Sequence, residues 1–215
     1  MENSNEPAFN VPPVVKYLVA SLVIVHILLL TADPATKEWV YGNLAFDIDG
    51  AAAALQAPTG TSIAGLIFKM TSHMFLHNDF MHLLINAFML LAFGTMVERY
   101  YGAMTFVTIF VLTGWVGAFS EYFVSVGEGG GYLYGASGAV FGMIGATLRL
   151  MLPKIGLQKV LIFAAVMMGL NLIIGMSPLG EMLTGGVRIS WAAHAGGFVA
   201  GFLLSLIFKP ALEPV

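Results

Sequence analysis

A serine, three histidines and an asparagine stand where an apolar chain has little reason to keep polar side chains. Ser137 sits in Gly135-Ala136-Ser137-Gly138, and His194 in Ala193-His194-Ala195-Gly196-Gly197. His77, His82 and Asn86 lie close together in the run that opens His77-Asn78-Asp79. A hydroxyl, imidazoles and a carboxamide are the groups from which a nucleophile, a base and donors to an anion are assembled. Each has an ordinary reading when taken alone. A serine in an apolar helix usually packs or bonds its own backbone, and a single histidine usually bonds a neighbouring helix. Their joint placement points to chemistry.

The elements that carry them are membrane spans. The chain has 215 residues, 58% hydrophobic and only 10% charged, with a mean hydropathy of +0.86. Soluble domains carry about a quarter charged residues, so this chain has too little charge to cover a water-facing surface. A lipid-facing surface removes that need. The net charge of −3 comes with no basic patch, which gives nucleic acid nothing to bind. Cysteine is absent, excluding disulfides, thiol nucleophiles and thiolate metal sites.

Six apolar stretches are expected as spans, near residues 14–31, 79–97, 104–123, 135–150, 157–176 and 189–208. The expected fold is an all-α membrane bundle of six helices with a short central fourth. One membrane domain, 14–208, would lie between tails 1–13 and 209–215. In the mixed connection 32–78, the runs 51–56 and 62–73 read as short interfacial helices. The glycine cluster 127–131 reads as a loop. Glu2 and Glu6 precede the first run, which is long for a signal-peptide core, so a retained span is expected. A cytoplasmic N-terminus puts Lys16, Arg99, Arg149, Lys154, Lys159 and Lys209 inside and leaves Lys37, Lys69 and Arg188 outside. The short N-terminus without a transit-type presequence suggests a prokaryotic plasma membrane.

In this topology the second, fourth and sixth spans run inward together, and all three polar clusters fall within their first turns. They therefore meet at one depth below the outer surface. The fourth span, at about 24 Å, is shorter than the hydrocarbon core. Ser137 then sits at a helix N-terminus behind a glycine-rich loop, where free N–H groups favour a developing anion. Gly138, Gly142 and Ala146 on the fourth span, and Ala193, Gly197 and Gly201 on the sixth, form small-residue ridges. Such ridges let helix backbones approach closely in lipid.

Other polar residues receive plainer readings. His82 and Asn86 share a helical face, whereas His77 lies at the entry to that helix. Asp79 reads as its N-cap. His26 has no polar company in its span and reads as structural, and His73 as interfacial. No metal is expected: no H-E-x-x-H occurs, and His77 and His82 are wrongly spaced for two ligands on one face. No acid lies deep in a span, which argues against an aspartyl protease.

At these residues the sequence resembles the rhomboid family of intramembrane serine proteases. The matching pieces are His77-x4-His82-x3-Asn86, Gly135-Ala136-Ser137-Gly138 and Ala193-His194-x2-Gly197-x3-Gly201, in the family's order, with Glu98-Arg99 closing the second span. The resemblance implies that Ser137 is the nucleophile and His194 the general base. It implies an oxyanion site of the Ser137 N–H, His82 and Asn86, with His77, Gly135, Phe141, Gly197 and Gly201 in support. It implies no cofactor, and single-span membrane proteins, cut near the outer leaflet, as substrates. Phe141 replaces a tyrosine often found four residues after the nucleophile. The tryptophan–arginine pair typical of the first outer loop is not recognisable, although Trp39 lies there. Without an acid, the imidazole would be oriented by packing. Two alternatives stay open: a non-catalytic rhomboid-like binding protein, and a small transporter whose polar pocket serves a gradient and is indifferent to Ser137→Ala.

Overall fold

The computed structural model describes residues 10–127, 131–177 and 189–211. The remaining stretches, with Glu2, Glu6, Arg188 and most of both expected tails, lie outside the described residues. The chain is an all-α membrane bundle. Five helices are long and apolar enough to cross a bilayer: α1 (Pro13–Thr31), α5 (Phe80–Tyr101), α6 (Ala103–Ser125), α7 (Ser137–Ile155) and α8 (Leu157–Gly175). A sixth apolar helix, α9 (Trp191–Ile207), has 17 residues. Between α1 and α5 lie α2 (Pro34–Leu44), α3 (Ile48–Gln56) and α4 (Gly60–Ser72).

These helices start where their sequences supply partners for the free N–H groups of a first turn. Asp33, Asp47 and Asp79 accept from Thr36, Gly50 and His82, and Thr59 with Ser62 makes a capping box. α1 opens on prolines without a side-chain cap of its own. Its cap comes from the end of α5: Glu98 accepts from Val14 N at 3.1 Å and Val15 N at 2.7 Å. Neighbouring Arg99 donates to the Asn10 carbonyl. The Glu98-Arg99 pair thus fastens the first span to the second.

α7 is the central helix, with 61% of its apolar window buried, against 17% for α1 and 11% for α8. It runs to Ile155, past the expected end at 150, with Pro153 inside its last turn and Gly156, at φ +80°, ending it. Nineteen residues rise about 28 Å, still slightly under the hydrocarbon thickness. Glycines let α7 touch its neighbours backbone to backbone. A Cβ on Gly197 would strike the Gly138 carbonyl, one on Gly201 the Gly142 carbonyl, and one on Gly145 the Phe198 carbonyl. α6 closes the third side, where Thr113 fills the space beside Gly142. Gly138 meets Gly197 and, one turn on, Gly142 meets Gly201, so α7 and α9 run parallel; Gly138 and Gly142 meet Gly117 and Thr113 in falling order, so α6 runs opposite.

The connection is more structured than its mixed composition suggested. α2 adds a third helix to the two expected there, and Asp33-Pro34 starts it as an N-cap followed by a first-turn proline. β1 (Phe46–Asp47) pairs antiparallel with β2 (Tyr132–Leu133), joining the connection to the loop before α7. Trp39 stays exposed, and other residues do the anchoring. Lys69 bonds the Gly42 carbonyl and pairs with Asp47, Ser72 bonds the Leu44 carbonyl, and Trp115 of α6 donates to Thr71.

Candidate active site

Ser137 is the first residue of α7, and no side chain caps the helix there. Its first-turn N–H groups therefore remain available. The approach is fixed from two sides: Gly135 N donates to the His73 carbonyl at 2.9 Å, and Ile48 N to the Gly131 carbonyl at 3.1 Å. Gly135 has φ +123°, a conformation that side-chain-bearing residues avoid. A Cβ there would lie 2.8 Å from both Cε1 and Nε2 of His82, and 3.9 Å from Ser137 Oγ. The His82 ring and the Ser137 hydroxyl thus flank the same bare Cα.

α5 carries His82 and Asn86. Asp79 holds the His82 N–H at 2.8 Å. One turn on, buried Asn86 donates through Nδ2 to the His82 carbonyl at 2.9 Å, leaving a second amide hydrogen. His77 lies just before the helix. Its ring meets that of His82 edge to face at 5.0 Å, and its carbonyl accepts from Tyr41 Oη. Burial, and then the neighbouring His82 and His26 rings, push the His77 imidazole down to about 3. His77 is therefore neutral at ordinary pH. His26 is buried on α1, and neither of its ring nitrogens has a hydrogen-bond partner, in keeping with a structural reading.

His194 lies in the first turn of α9, where the Gly138–Gly197 crossing brings α9 against the start of α7. Its ring stacks on Phe141 with centroids 4.4 Å apart and planes 5° apart. Phe141 is one turn after Ser137, so the imidazole lies over the face of α7 that carries the hydroxyl. Ser137 Oγ and His194 are not hydrogen-bonded to each other.

Packing alone does not orient this imidazole, contrary to the expectation from sequence. Nδ1 of His194 lies 2.7 Å from Oδ1 of Asn171 on α8. Asn171 also donates through Nδ2 to the Trp191 carbonyl at 2.9 Å. The sequence carried a signal for this residue: Asn171 is a strongly polar side chain deep in a span, where polarity is costly. It stands alone on α8, apart from the three polar clusters of the inward-running spans. No group of three His, Asp or Glu side chains is arranged to hold a metal among the described residues. A cavity of about 350 Å³ lined by Phe46, Ala51, Ala54, Leu66 and Lys69 shares none of these site residues.

Comparison with known proteins converges on one family. The profile of the Rhomboid domain matches residues 64–211. RHOMBOID-like protein 5 of Arabidopsis thaliana is 29% identical over 144 residues, covering 65% of this chain and 43% of that protein. Rhomboid protease GluP of Bacillus subtilis is 30% identical over 137 residues, covering 63% of this chain and 25% of that protein. Putative rhomboid protease YdcA of Bacillus subtilis is 30% identical over 150 residues, covering 65% of this chain and 66% of that protein. The chain spans less than half the length of the first two. A match extending from the connection through the last helix, over well more than half of the chain, makes this an integral membrane protein of the rhomboid family.

Proposed function

We propose that the chain is an intramembrane serine endopeptidase in which Ser137 attacks and His194 acts as general base. The observation that carries this reading is the stack of His194 on Phe141, one turn from Ser137, at the glycine crossing of α7 and α9. His194 accepts the Ser137 proton as Oγ bonds the scissile carbonyl carbon, whose π electrons move to the oxygen. The Ser137 N–H, His82 and Asn86 then donate to that oxyanion. As the tetrahedral intermediate collapses, the imidazolium protonates the departing amine. Water, deprotonated by the same imidazole, releases the acyl group and restores the hydroxyl.

The substrates are single-span membrane proteins whose helix unwinds near the outer leaflet, since an intact helix engages its peptide groups. Six spans with a cytoplasmic N-terminus, in a prokaryotic plasma membrane, complete the proposal. No metal or other cofactor enters this chemistry. A non-catalytic binding role fits less well with a histidine stacked on Phe141, one turn from a serine that opens a helix. A transporter fits less well with an uncapped helix start beside them.

Cleavage of a generic single-span substrate by detergent-purified protein tests the reading. Ser137→Ala and His194→Ala should each lower kcat by about 10⁴-fold or more, with unchanged thermal unfolding. A fluorophosphonate should label the wild type and not Ser137→Ala. Equal cleavage by all three proteins would overturn the assignment.

A further inference from the structure

We infer that Asn171 is a positioning residue of the base, holding the His194 imidazole in the tautomer that leaves Nε2 free to take the Ser137 proton. The inference rests on the reading of Ser137 and His194 given above. It begins with the Trp191 carbonyl, which can only accept a hydrogen bond. Its 2.9 Å contact therefore fixes the –NH2 end of the Asn171 amide toward Trp191. The amide oxygen is then the atom 2.7 Å from His194 Nδ1. An oxygen acceptor requires a proton on Nδ1, and a neutral imidazole carries only one N–H. Nε2 is left with its lone pair, as a general base requires.

Surroundings and chemistry agree. Asn171 is 7% exposed, whereas its helix neighbours Leu170, Leu172 and Ile173 are 51%, 40% and 64% exposed on a lipid-facing surface. The amide is turned inward from a helix that is otherwise apolar over this stretch. During acyl transfer the imidazole becomes a cation, and the amide oxygen accepts from its Nδ1–H throughout. Phe141 fixes the ring plane, and Asn171 fixes rotation within that plane. A purely structural reading makes Asn171 an interhelical tie between α8 and α9 through Trp191. The two roles use opposite ends of one amide, so substitutions can separate them.

Asn171→Leu removes both ends. Asn171→Asp keeps the acceptor toward His194 and gives up the –NH2 that bonds Trp191. The expected result is a kcat about 10²-fold lower for Asn171→Leu, the size of a lost catalytic orientation, with KM within about threefold. Asn171→Asp should recover most of that loss, even if its thermal unfolding temperature falls. In ¹⁵N-histidine spectra at neutral pH, wild-type His194 should show the Nδ1–H tautomer, and Asn171→Leu a mixture. Asn171→Asp as slow as Asn171→Leu would leave only the interhelical tie, and wild-type kcat in Asn171→Leu, or a wild-type Nε2–H tautomer, would equally overturn the inference. Ser137→Ala in the same assay keeps the two questions apart: cleavage surviving it refutes the protease reading itself, whereas flat Asn171 variants beside a dead Ser137→Ala refute only the positioning role.

Discussion

Gly135 is constrained twice at the site, because two requirements fall on the same Cα. Its φ of +123° costs a side-chain-bearing residue roughly 1 kcal/mol or more. Its missing Cβ also leaves the space into which His82 turns its ring. Gly135→Ala should therefore push the imidazole away from the Ser137 hydroxyl. Cleavage should fall by about 10²-fold, as when an oxyanion donor is removed, with a modest loss in unfolding temperature. Wild-type turnover in Gly135→Ala would remove His82 from the oxyanion site. This residue was legible in sequence as part of a glycine-containing entry to a helix. Its collision with His82 was not, because that depends on how β1, β2 and the His73 carbonyl set the loop against α5. Asn171 shows the opposite case. Its cost in lipid is written in the sequence, but its partner lies on another helix, and spacing along one chain does not reveal such pairings.

At the level of elements, the crossing of α7 and α9 carries the site, and its glycines are of two kinds. Gly201 opposes the Gly142 carbonyl, carbon and Cα, all backbone atoms that no rotamer change can move aside. Gly169 on α8 has nothing within 4 Å of where a Cβ would stand. Gly201→Ala should force the helices apart and cost about 1–3 kcal/mol, read as a clear drop in thermal unfolding in detergent together with lost cleavage. Gly169→Ala should leave unfolding unchanged or raise it, since alanine is worth up to about 1 kcal/mol over glycine in a helix. Equal unfolding temperatures for the two variants would mean that the crossing is not close-packed. The four-residue ridges made this crossing legible from sequence, because small residues at helical spacing have few other uses in lipid. The Glu98 cap on α1 was legible only as a matching pair of letters. Its physical role appears once α1 and α5 are seen to end together, with the carboxylate placed over N–H groups that a proline-led helix cannot cap for itself.

For the whole molecule, internal geometry reduces the orientation of the bundle in the membrane to a choice between two. Glu98 bonds the start of α1, and Ala211 N donates to the Tyr100 carbonyl, so the start of α1 and the ends of α5 and α9 share one end of the bundle. Lys16, Arg99 and Lys209 lie at that end. Arg149, Lys154 and Lys159 join them, because α7 runs parallel to α9 and α8 returns from its foot. Lys37 and Lys69 belong to the connection at the other end, which β1 and β2 tie to the approach to Ser137. The basic residues named here therefore segregate in space as the positive-inside rule requires, and Ser137 and Lys154 sit at opposite ends of one helix about 28 Å long. The absence of native cysteine makes single-cysteine labelling unambiguous. In intact bacterial cells, Glu38→Cys on exposed α2 should react with a membrane-impermeant maleimide, and Lys154→Cys only after permeabilisation. The reverse pattern would invert the bundle and move Ser137 to the cytoplasmic side. Substrates would then have to be cut near the inner leaflet, with the chemistry of the site unchanged.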